Sequence, residues 1–389
     1  MNSALEIRGF NLDAPSFAAI IALLVLGIII MSSASISLAD RDIGEPLFFF
    51  SRQLAAVFIG LLAALILTMI PTELWYRYHW VLLIACMLLL VSVFLPGFSR
   101  TVNGSTRWLD FGAISLQPSE PARVCLILYL GSYIVRQQAS LSASLVGFLK
   151  PMIAVTVVSA LLLFQPDFGA AVVVTLTSIG LLFIGGARIR DFVVAFCIAS
   201  VALSALAYSS PYRMERLLGF LDPWADPYGK GFQLTQSLIA VGRGNWFGVG
   251  LGDSVQKLFY LPEAHTDFVF AVLAEELGFM GVTLTVLLFG VIVLRAIALG
   301  PKAASVNMPF HGLVSTGIAM TLGLQAFINM GVNTGMLPTK GLTLPLISYG
   351  RTSMVTTLIS LGLLIRIQHE VQNEVCRRVT VRAQRKKKQ

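Results

Sequence analysis

Long apolar runs alternate with short polar segments along most of the chain. An apolar run of about 18 residues or more predicts a membrane-spanning helix, because about 20 helical residues cross the hydrocarbon layer with every backbone group paired internally. Such runs lie at residues 15–36, 47–70, 78–96, 120–136, 149–164, 169–185, 191–208, 268–298, 309–331 and 347–367. The pattern predicts an all-α polytopic membrane protein with about ten transmembrane helices.

Two of these runs are unusual in length. The first resembles a secretory signal, since the small residues of Ser37-Leu38-Ala39 suit a cleavage site, but it is longer than a typical signal core and only Arg8 supplies a cation before it. We therefore predict a retained helix. The run at 268–298 exceeds one straight crossing, which predicts either a tilted helix or a break near Gly278 or Gly281.

Composition and charge predict how the chain is oriented. Hydrophobic residues make up 56% of the sequence and charged residues only 12%, against roughly 25% charged residues in soluble domains. Short cytoplasmic loops are enriched in Lys and Arg, so we place both termini in the cytoplasm. The cations then assigned to inner loops are Arg77, Arg136, Lys150, Arg188, Arg190, Arg295 and Lys302.

This orientation divides the chain into three regions. Residues 1–14 form a cytoplasmic N-terminus, 15–367 the transmembrane domain, and 368–389 a basic, disordered cytoplasmic tail attracted to anionic lipid. The predicted outer loops are 97–119, 209–267 and 332–346. The loop at 209–267 is a large extracytoplasmic loop between the seventh and eighth predicted transmembrane helices.

Several classes of function are excluded by what the sequence lacks. It contains no Gly-x-x-x-x-Gly-Lys-Ser/Thr phosphate loop, and its predicted inner loops are too short for a nucleotide-binding domain. The four cysteines fall in predicted spans or the tail, which disfavours structural zinc and disulfide chemistry outside the membrane. We predict no nucleic-acid partner.

Asp267 is the most informative acid. It lies where a polar loop enters an apolar helix, an environment in which desolvation raises the pKa of a carboxyl group and favours a general base. An Asp at this position also suits a helix N-cap, and the sequence leaves both interpretations open. Glu275 and Glu276 lie deeper in the apolar stretch, where acids face a cavity or a partner.

Six ordered motifs resemble the SEDS family, the shape, elongation, division and sporulation proteins of the bacterial cell wall. They are Asn103-Gly104 through Trp108, Gln117 through Glu120, Gln165 through Gly169, Gly231 through Ser237, Pro262 through Asp267, and Pro338 through Gly350. Pro338 to Pro345 is similar to the division-type members rather than the elongation type. One departure is Arg351, where the family usually has glycine.

The resemblance implies a peptidoglycan glycosyltransferase that polymerises lipid II on the outer leaflet, with ten helices around a polar cavity. The family's essential acid falls on Asp267, which would deprotonate the attacking sugar hydroxyl. The pyrophosphate leaving group needs nearby positive charge. Candidate cations are Arg213, Arg216, Arg243, Lys257 and Lys340, and a divalent cation, Mg²⁺ or Mn²⁺, could share this task.

The resemblance also implies further contacts and partners. Arg107 and Trp108 are candidates for sugar contacts. The other candidate substrate-binding residues are Glu263, His265, Glu276 and Ser348. Expected partners are lipid II, the growing glycan strand, a class B penicillin-binding transpeptidase and other division-complex membrane proteins, at the septum of the bacterial cytoplasmic membrane. The alternatives are a flippase for the lipid-linked precursor and a non-catalytic division scaffold.

Overall fold

The computed structural model describes residues 4–7, 10–95, 97, 99–102, 105–110, 112, 115–208, 220–229 and 231–388. Its helices are α1 (Ala14–Ile43), α2 (Phe48–Met69), α3 (Thr72–Ser92), α4 (Ser119–Arg136), α5 (Gln138–Ala143), α6 (Leu145–Phe164), α7 (Phe168–Ile184), α8 (Ile189–Tyr208), α9 (Phe232–Arg243), α10 (Val269–Ser305), α11 (Pro309–Asn333) and α12 (Arg351–Lys388).

The helices account for every predicted apolar run. Each run overlaps one of α1 to α4, α6 to α8 or α10 to α12. Among the described residues, 7 helices are long and apolar enough to cross a membrane, and α7 is a shorter apolar helix. A multi-pass helical membrane protein is therefore confirmed, while the number of ten crossings stays a prediction.

The long helix α10 is broken at Gly278, one of the two predicted positions. Gly278 has φ 65° and ψ −163°, a conformation that is essentially restricted to glycine. The break leaves backbone N–H and C=O groups without partners in the helix. The glycine-rich loop at residues 244–250 forms hydrogen bonds with them. Phe279 N donates to the Asn245 carbonyl at 2.8 Å, and Val249 N donates to the Glu275 carbonyl at 2.9 Å.

We expect Gly278→Ala to lower the free energy of unfolding by about 2 kcal/mol or more, since a strained backbone alone costs about 1–3 kcal/mol. A Cβ at this position would also lie 2.3 Å from Gly248 N. Gly290→Ala is the matched control in the same helix, because nothing lies within 4 Å of its Cβ. Thermal unfolding in detergent measures both variants. Equal midpoints for the two variants would contradict this account of the break.

Two small antiparallel sheets correct the all-α prediction. Strand β1 (Ala4–Ile7) pairs with β2 (Phe10–Asp13), and β3 (Ser99–Val102), β4 (Ser105–Asp110) and β5 (Ser115–Leu116) form a second sheet in that order. The second sheet lies within the segment 97–119, which we predicted as a loop. Its strands are too short for a clear alternating pattern, although Leu109 of β4 is buried.

The C-terminal tail is helical, which corrects the predicted disorder of 368–388. Helix α12 continues to Lys388 because one face of the tail packs on the protein. Val371 is buried in the core and Val375 packs against it. Arg378 donates to the Val306 carbonyl at 2.7 Å, and its ion pair with Glu374 follows the i,i+4 spacing of a stable helix.

Candidate active site

Asp267 lies in the turn before α10 and is partly exposed. The N-cap of α10 is Phe268, whose side chain makes no capping hydrogen bond. The backbone N–H of Ala271 in the first turn donates instead to Asn333 Oδ1 at 3.1 Å. The structure therefore assigns the N-cap position of α10 to Phe268 and not to Asp267.

The segment after α11 brings a glycine against the Asp267 carboxylate. A Cβ placed on Gly341 would lie 3.0 Å from Asp267 Oδ2 and 4.0 Å from Arg107 Nη1. The carboxylate and the guanidinium therefore flank the same backbone position. The absence of a side chain at Gly341 leaves room for this close approach.

Arg107 of β4 is fixed by main-chain acceptors. Its guanidinium donates to the Gln165 carbonyl at 3.4 Å and to the Pro166 carbonyl. Successive side chains of a strand point to opposite faces, so Trp108 lies on the other face of β4, where it pairs in register with Arg100. Arg107 therefore lies on the face of β4 that is directed towards Asp267, and Trp108 does not.

Lys340 supplies a second cation beside Asp267. It precedes Gly341 directly, and its Nζ lies 3.9 Å from the centroid of the Phe168 ring. A cation over an aromatic face is attracted to the ring quadrupole, which restricts where the ammonium group can move. Lys340, Arg107 and Asp267 thus place two positive groups and one carboxylate around one short segment.

Ser348 joins the two loops that carry these groups. It is buried, its hydroxyl donates to the Thr266 carbonyl at 2.6 Å, and it accepts from the Leu344 N–H at 2.8 Å. Tyr349 N donates to the His265 carbonyl at 2.9 Å. Ser348 therefore supports both loops, and its predicted contact with the substrate stays a prediction.

His265 is also buried, and it packs against two aromatic rings. Its ring lies 4.8 Å from that of Phe49 and 5.6 Å from that of Tyr349. Burial holds the pKa of His265 below its usual range, against the opposing pull of the Glu263 carboxylate. The imidazole is therefore neutral at neutral pH and does not add to the positive charge of the site.

Glu263 turns the chain at the start of the same loop. It has φ 56°, in the left-handed region, and its carboxylate accepts from Thr266 Oγ1 at 2.7 Å. The side chain is exposed. This geometry gives Glu263 a local turn-forming role close to Asp267.

Lys257 and Glu276, two of the predicted substrate ligands, form an internal ion pair. Lys257 Nζ lies 2.8 Å from Glu276 Oε1, 2.8 Å from Ser33 Oγ and 2.7 Å from the Gly252 carbonyl. An ammonium group has three donors, so these acceptors use all of them. The Lys257 and Glu276 side chains are only 7% and 0% exposed.

Arg243 is tied to the neighbouring acid. Its Nη1 donates to Glu275 Oε1 at 3.2 Å, and its side chain stays 45% exposed while that of Glu275 is fully buried. Arg243 is therefore partly available to a ligand. Arg213 and Arg216 lie outside the described residues.

A series of buried polar side chains is hydrogen-bonded to the segment that carries Lys340. Gln325 Nε2 donates to the Thr343 carbonyl at 3.0 Å, and Gln325 Oε1 accepts from Arg123 at 2.7 Å. Arg123 also pairs with Glu120 at 3.0 Å. Glu120, Arg123 and Gln325 line a small cavity of about 20 Å³ between α4, α11 and α12, and sequence reasoning did not single out Arg123 or Gln325.

The family's usual glycine is replaced by Arg351, and the structure gives this arginine a partner. Its Nη2 donates to Ser115 Oγ of β5 at 2.6 Å. The neighbouring Thr352 hydroxyl donates to the Ser115 carbonyl at 3.0 Å. Arg351 thus connects the start of α12 to the sheet of β3, β4 and β5. Across the described ranges, no group of three or more His, Cys, Asp or Glu side chains is arranged to hold a metal ion.

Comparison with known proteins decides the family. The model for the cell cycle protein family of FtsW, RodA and SpoVE matches residues 15–373. The chain belongs to this SEDS family. Among SEDS relatives, the probable peptidoglycan glycosyltransferase FtsW of Thioalkalivibrio sulfidiphilus is 50% identical over 360 residues, which cover 92% of this chain and 90% of the relative. That of Legionella pneumophila is 48% identical over 352 residues, covering 90% and 89%.

Solved structures agree with this SEDS assignment. The chain is similar to a component of a peptidoglycan synthase complex that coordinates polymerisation and crosslinking, with a TM-score of 0.75, 29% identity, and coverage of 92% of this chain and 98% of the other. It is also similar to the rod shape determining protein RodA of Thermus thermophilus, with a TM-score of 0.66, 29% identity, and coverage of 92% and 96%.

Proposed function

We propose that this SEDS protein is a division-type peptidoglycan glycosyltransferase that polymerises lipid II, with Asp267 as the general base. The observation that carries this proposal is that Asp267, a partly exposed residue, and Arg107 both place a charged atom within 4.0 Å of the position that a Cβ would take on Gly341. A base and a cation side by side suit a reaction that removes a proton and expels an anion. The relatives named as FtsW support the same activity.

The proposed reaction is one inverting glycosyl transfer. Asp267 takes the proton from the 4-hydroxyl of the lipid II GlcNAc, and that oxygen forms a bond to the anomeric carbon of the MurNAc at the end of the growing strand. The bond from this carbon to the pyrophosphate oxygen breaks, and undecaprenyl pyrophosphate leaves with the electron pair. After the step, Asp267 holds the proton, and one glycosidic bond has replaced the bond between the anomeric carbon and the pyrophosphate.

Arg107 and Lys340 are the proposed pyrophosphate ligands. Both flank the Gly341 backbone, whereas Lys257 is saturated by protein acceptors. We assign charge neutralisation to these cations, and a divalent cation held by the substrate phosphates and one or two carboxylates could share this task. The predicted divalent cation is tested by titrating Mg²⁺ or Mn²⁺ into enzyme treated with a chelator.

We expect Lys340→Met to raise the KM for lipid II about 10-fold or more without lowering protein yield. A charge-assisted hydrogen bond contributes about 1.5–3 kcal/mol, which corresponds to about 10- to 150-fold. Lys302→Met is the matched control, because Lys302 is exposed on α10 far along the chain from the site. Steady-state polymerisation kinetics measure the KM for lipid II in both variants. An unchanged KM in Lys340→Met would mean that this cation contacts only lipid headgroups.

The proposed topology has ten crossings, both termini in the cytoplasm, and the site on the outer face. Single cysteines introduced as Ala225→Cys and Gln389→Cys test it in a background that lacks the four native cysteines. An impermeant outer-side reagent should label the first and not the second. The reverse labelling pattern would contradict outer-face chemistry.

The proposed partner is a class B penicillin-binding transpeptidase at the division septum, since new strands must be crosslinked as they form. The similarity to a component of a synthase complex supports this arrangement. Other division-complex membrane proteins complete the expected assembly. Fluorescent fusions in dividing cells test the septal location.

The activity itself is tested with purified full-length protein, its partner transpeptidase and lipid II in vesicles. We expect glycan strands that lysozyme digests. Lipid II that changes leaflet without forming strands would support the flippase, and protein that binds its partner without either activity would support the scaffold. Both of those results would contradict the proposed function.

A further inference from the structure

Two buried amides of α11 hold the main chain of Asp267. We infer that Asn329 and Asn333 are positioning residues for the catalytic base, an inference that rests on the proposed function. Asn329 Nδ2 donates to the Asp267 carbonyl at 2.9 Å, and Asn333 Nδ2 donates to the same carbonyl at 3.0 Å. Their exposed fractions are 2% and 0%.

Asn329 also connects the base to the segment that carries the cation. The same Nδ2 donates to the Leu342 carbonyl at 2.6 Å. Leu342 follows Gly341 and Lys340, so a single amide group binds both loops that meet at the carboxylate. Asn329 therefore restrains the separation between the Asp267 and Lys340 segments from α11, in addition to the restraint that Ser348 provides.

Asn333 fixes the direction in which α10 leaves this turn. Its Oδ1 accepts from the Ala271 N–H at 3.1 Å, in the first turn of α10. Its own carbonyl accepts from Ser237 Oγ of α9 at 2.7 Å. Asn333 thus replaces the missing side-chain cap of α10 while its amide group holds the Asp267 carbonyl.

The two amides leave the Asp267 carbonyl little freedom. A carbonyl oxygen has two lone pairs, and the two Nδ2 groups supply two donors. The carboxylate of Asp267 therefore extends from a main chain that is fixed at this point. Misplacement of a reacting group by about 1 Å can cost about 100-fold in rate.

The test uses Asn329→Asp and Asn333→Asp in the full-length protein with lipid II and its partner. Each change keeps the side-chain shape and replaces the amide donor with an acceptor. Asn333→Asp also keeps an oxygen for the Ala271 N–H, because Asp and Asn cap helices about equally well. We expect kcat to fall about 10- to 100-fold in both variants. The KM for lipid II should stay within about twofold in Asn333→Asp, and it should rise in Asn329→Asp, because Asn329 also holds the segment that carries Lys340.

Ser315→Ala is the matched control for a lost buried hydrogen bond between α10 and α11. Ser315 Oγ donates to the Ala296 carbonyl at 2.6 Å, and Ser315 lies roughly 21 Å along the helix from Asn329, at about 1.5 Å per residue. We expect this variant to keep normal kcat. Backbone hydrogen exchange should become faster at 261–271 and 340–344 in Asn329→Asp and stay unchanged there in Ser315→Ala.

A normal kcat in Asn329→Asp and Asn333→Asp would overturn the inference, and so would a loss that Ser315→Ala shares. If Asn329→Asp is recovered in poor yield, Asn329→Ser and Asn333→Asp carry the same test. Wild-type protein without polymerase activity would instead contradict the proposed function. The two failures are therefore distinguishable.

Discussion

Replacement of Asp267 by asparagine should lower the polymerisation rate about 100-fold or more, the usual contribution of a positioned acid or base. Asn has the same size but does not accept a proton at neutral pH. The fold should survive, because Asp267 is not the N-cap of α10, and its structural contacts with Asn329 and Asn333 use the backbone carbonyl, which the substitution keeps. Initial rates with lipid II in vesicles measure the effect.

Asp222→Asn is the matched control for the same chemical change in the loop predicted to be external. Asp222 Oδ1 accepts from the Ala225 N–H at 3.1 Å in a turn, and Asn can accept the same bond. We expect this control to polymerise normally. Near wild-type activity in a well-folded Asp267→Asn variant would remove Asp267 from the mechanism and make Glu263 the next candidate.

Loss of the Lys257 ammonium group should destabilise the protein by about 3–5 kcal/mol, because Glu276 would keep a buried charge without its partner. Lys257→Met retains much of the side-chain length and removes the charge. The measurement is thermal or denaturant unfolding in detergent. The KM of the folded fraction should remain normal, since the ammonium donors already bond protein acceptors.

The double variant Lys257→Met, Glu276→Gln separates the two roles of this lysine. It removes both charges, so most of the lost stability should return. A raised KM for lipid II with unchanged unfolding would contradict the ion-pair account. That result would restore Lys257 as a pyrophosphate ligand.

Sequence reasoning found the features that are local in the chain. The position of each long helix follows from one continuous apolar run, and the break in α10 follows from a glycine inside an overlong span. Asp267 stands out because a single acid lies at the boundary between polar and apolar residues. Each of these signals is contained within a few turns of the chain.

The missed features depend on contacts between distant segments. Asn329 and Asn333 lie four residues apart on one helix face, and this spacing is visible in the sequence. Their acceptor at Asp267 is 62 and 66 residues away, so no local pattern connects them. The contacts of Lys257 were missed for the same reason, since its partner Ser33 lies 224 residues away.

The cap interpretation shows why the sequence left the role of Asp267 open. An Asp just before a helix satisfies the composition rule for an N-cap, but the start of α10 is one residue later than that rule requires. The Ala271 N–H then bonds to Asn333 from a different helix. Only the packed arrangement of α10 against α11 distinguishes the two roles.

The most direct test of the central claim is the pH dependence of a single turnover. Pre-bound enzyme and lipid II are mixed across acidic to neutral pH, and the rate of glycosidic bond formation is measured for wild type and Asp267→Asn. If Asp267 is the base, the wild-type rate falls on acidification and the slow residual rate of Asp267→Asn stays flat over the same range. An acid limb that persists in Asp267→Asn would show that another group takes the proton.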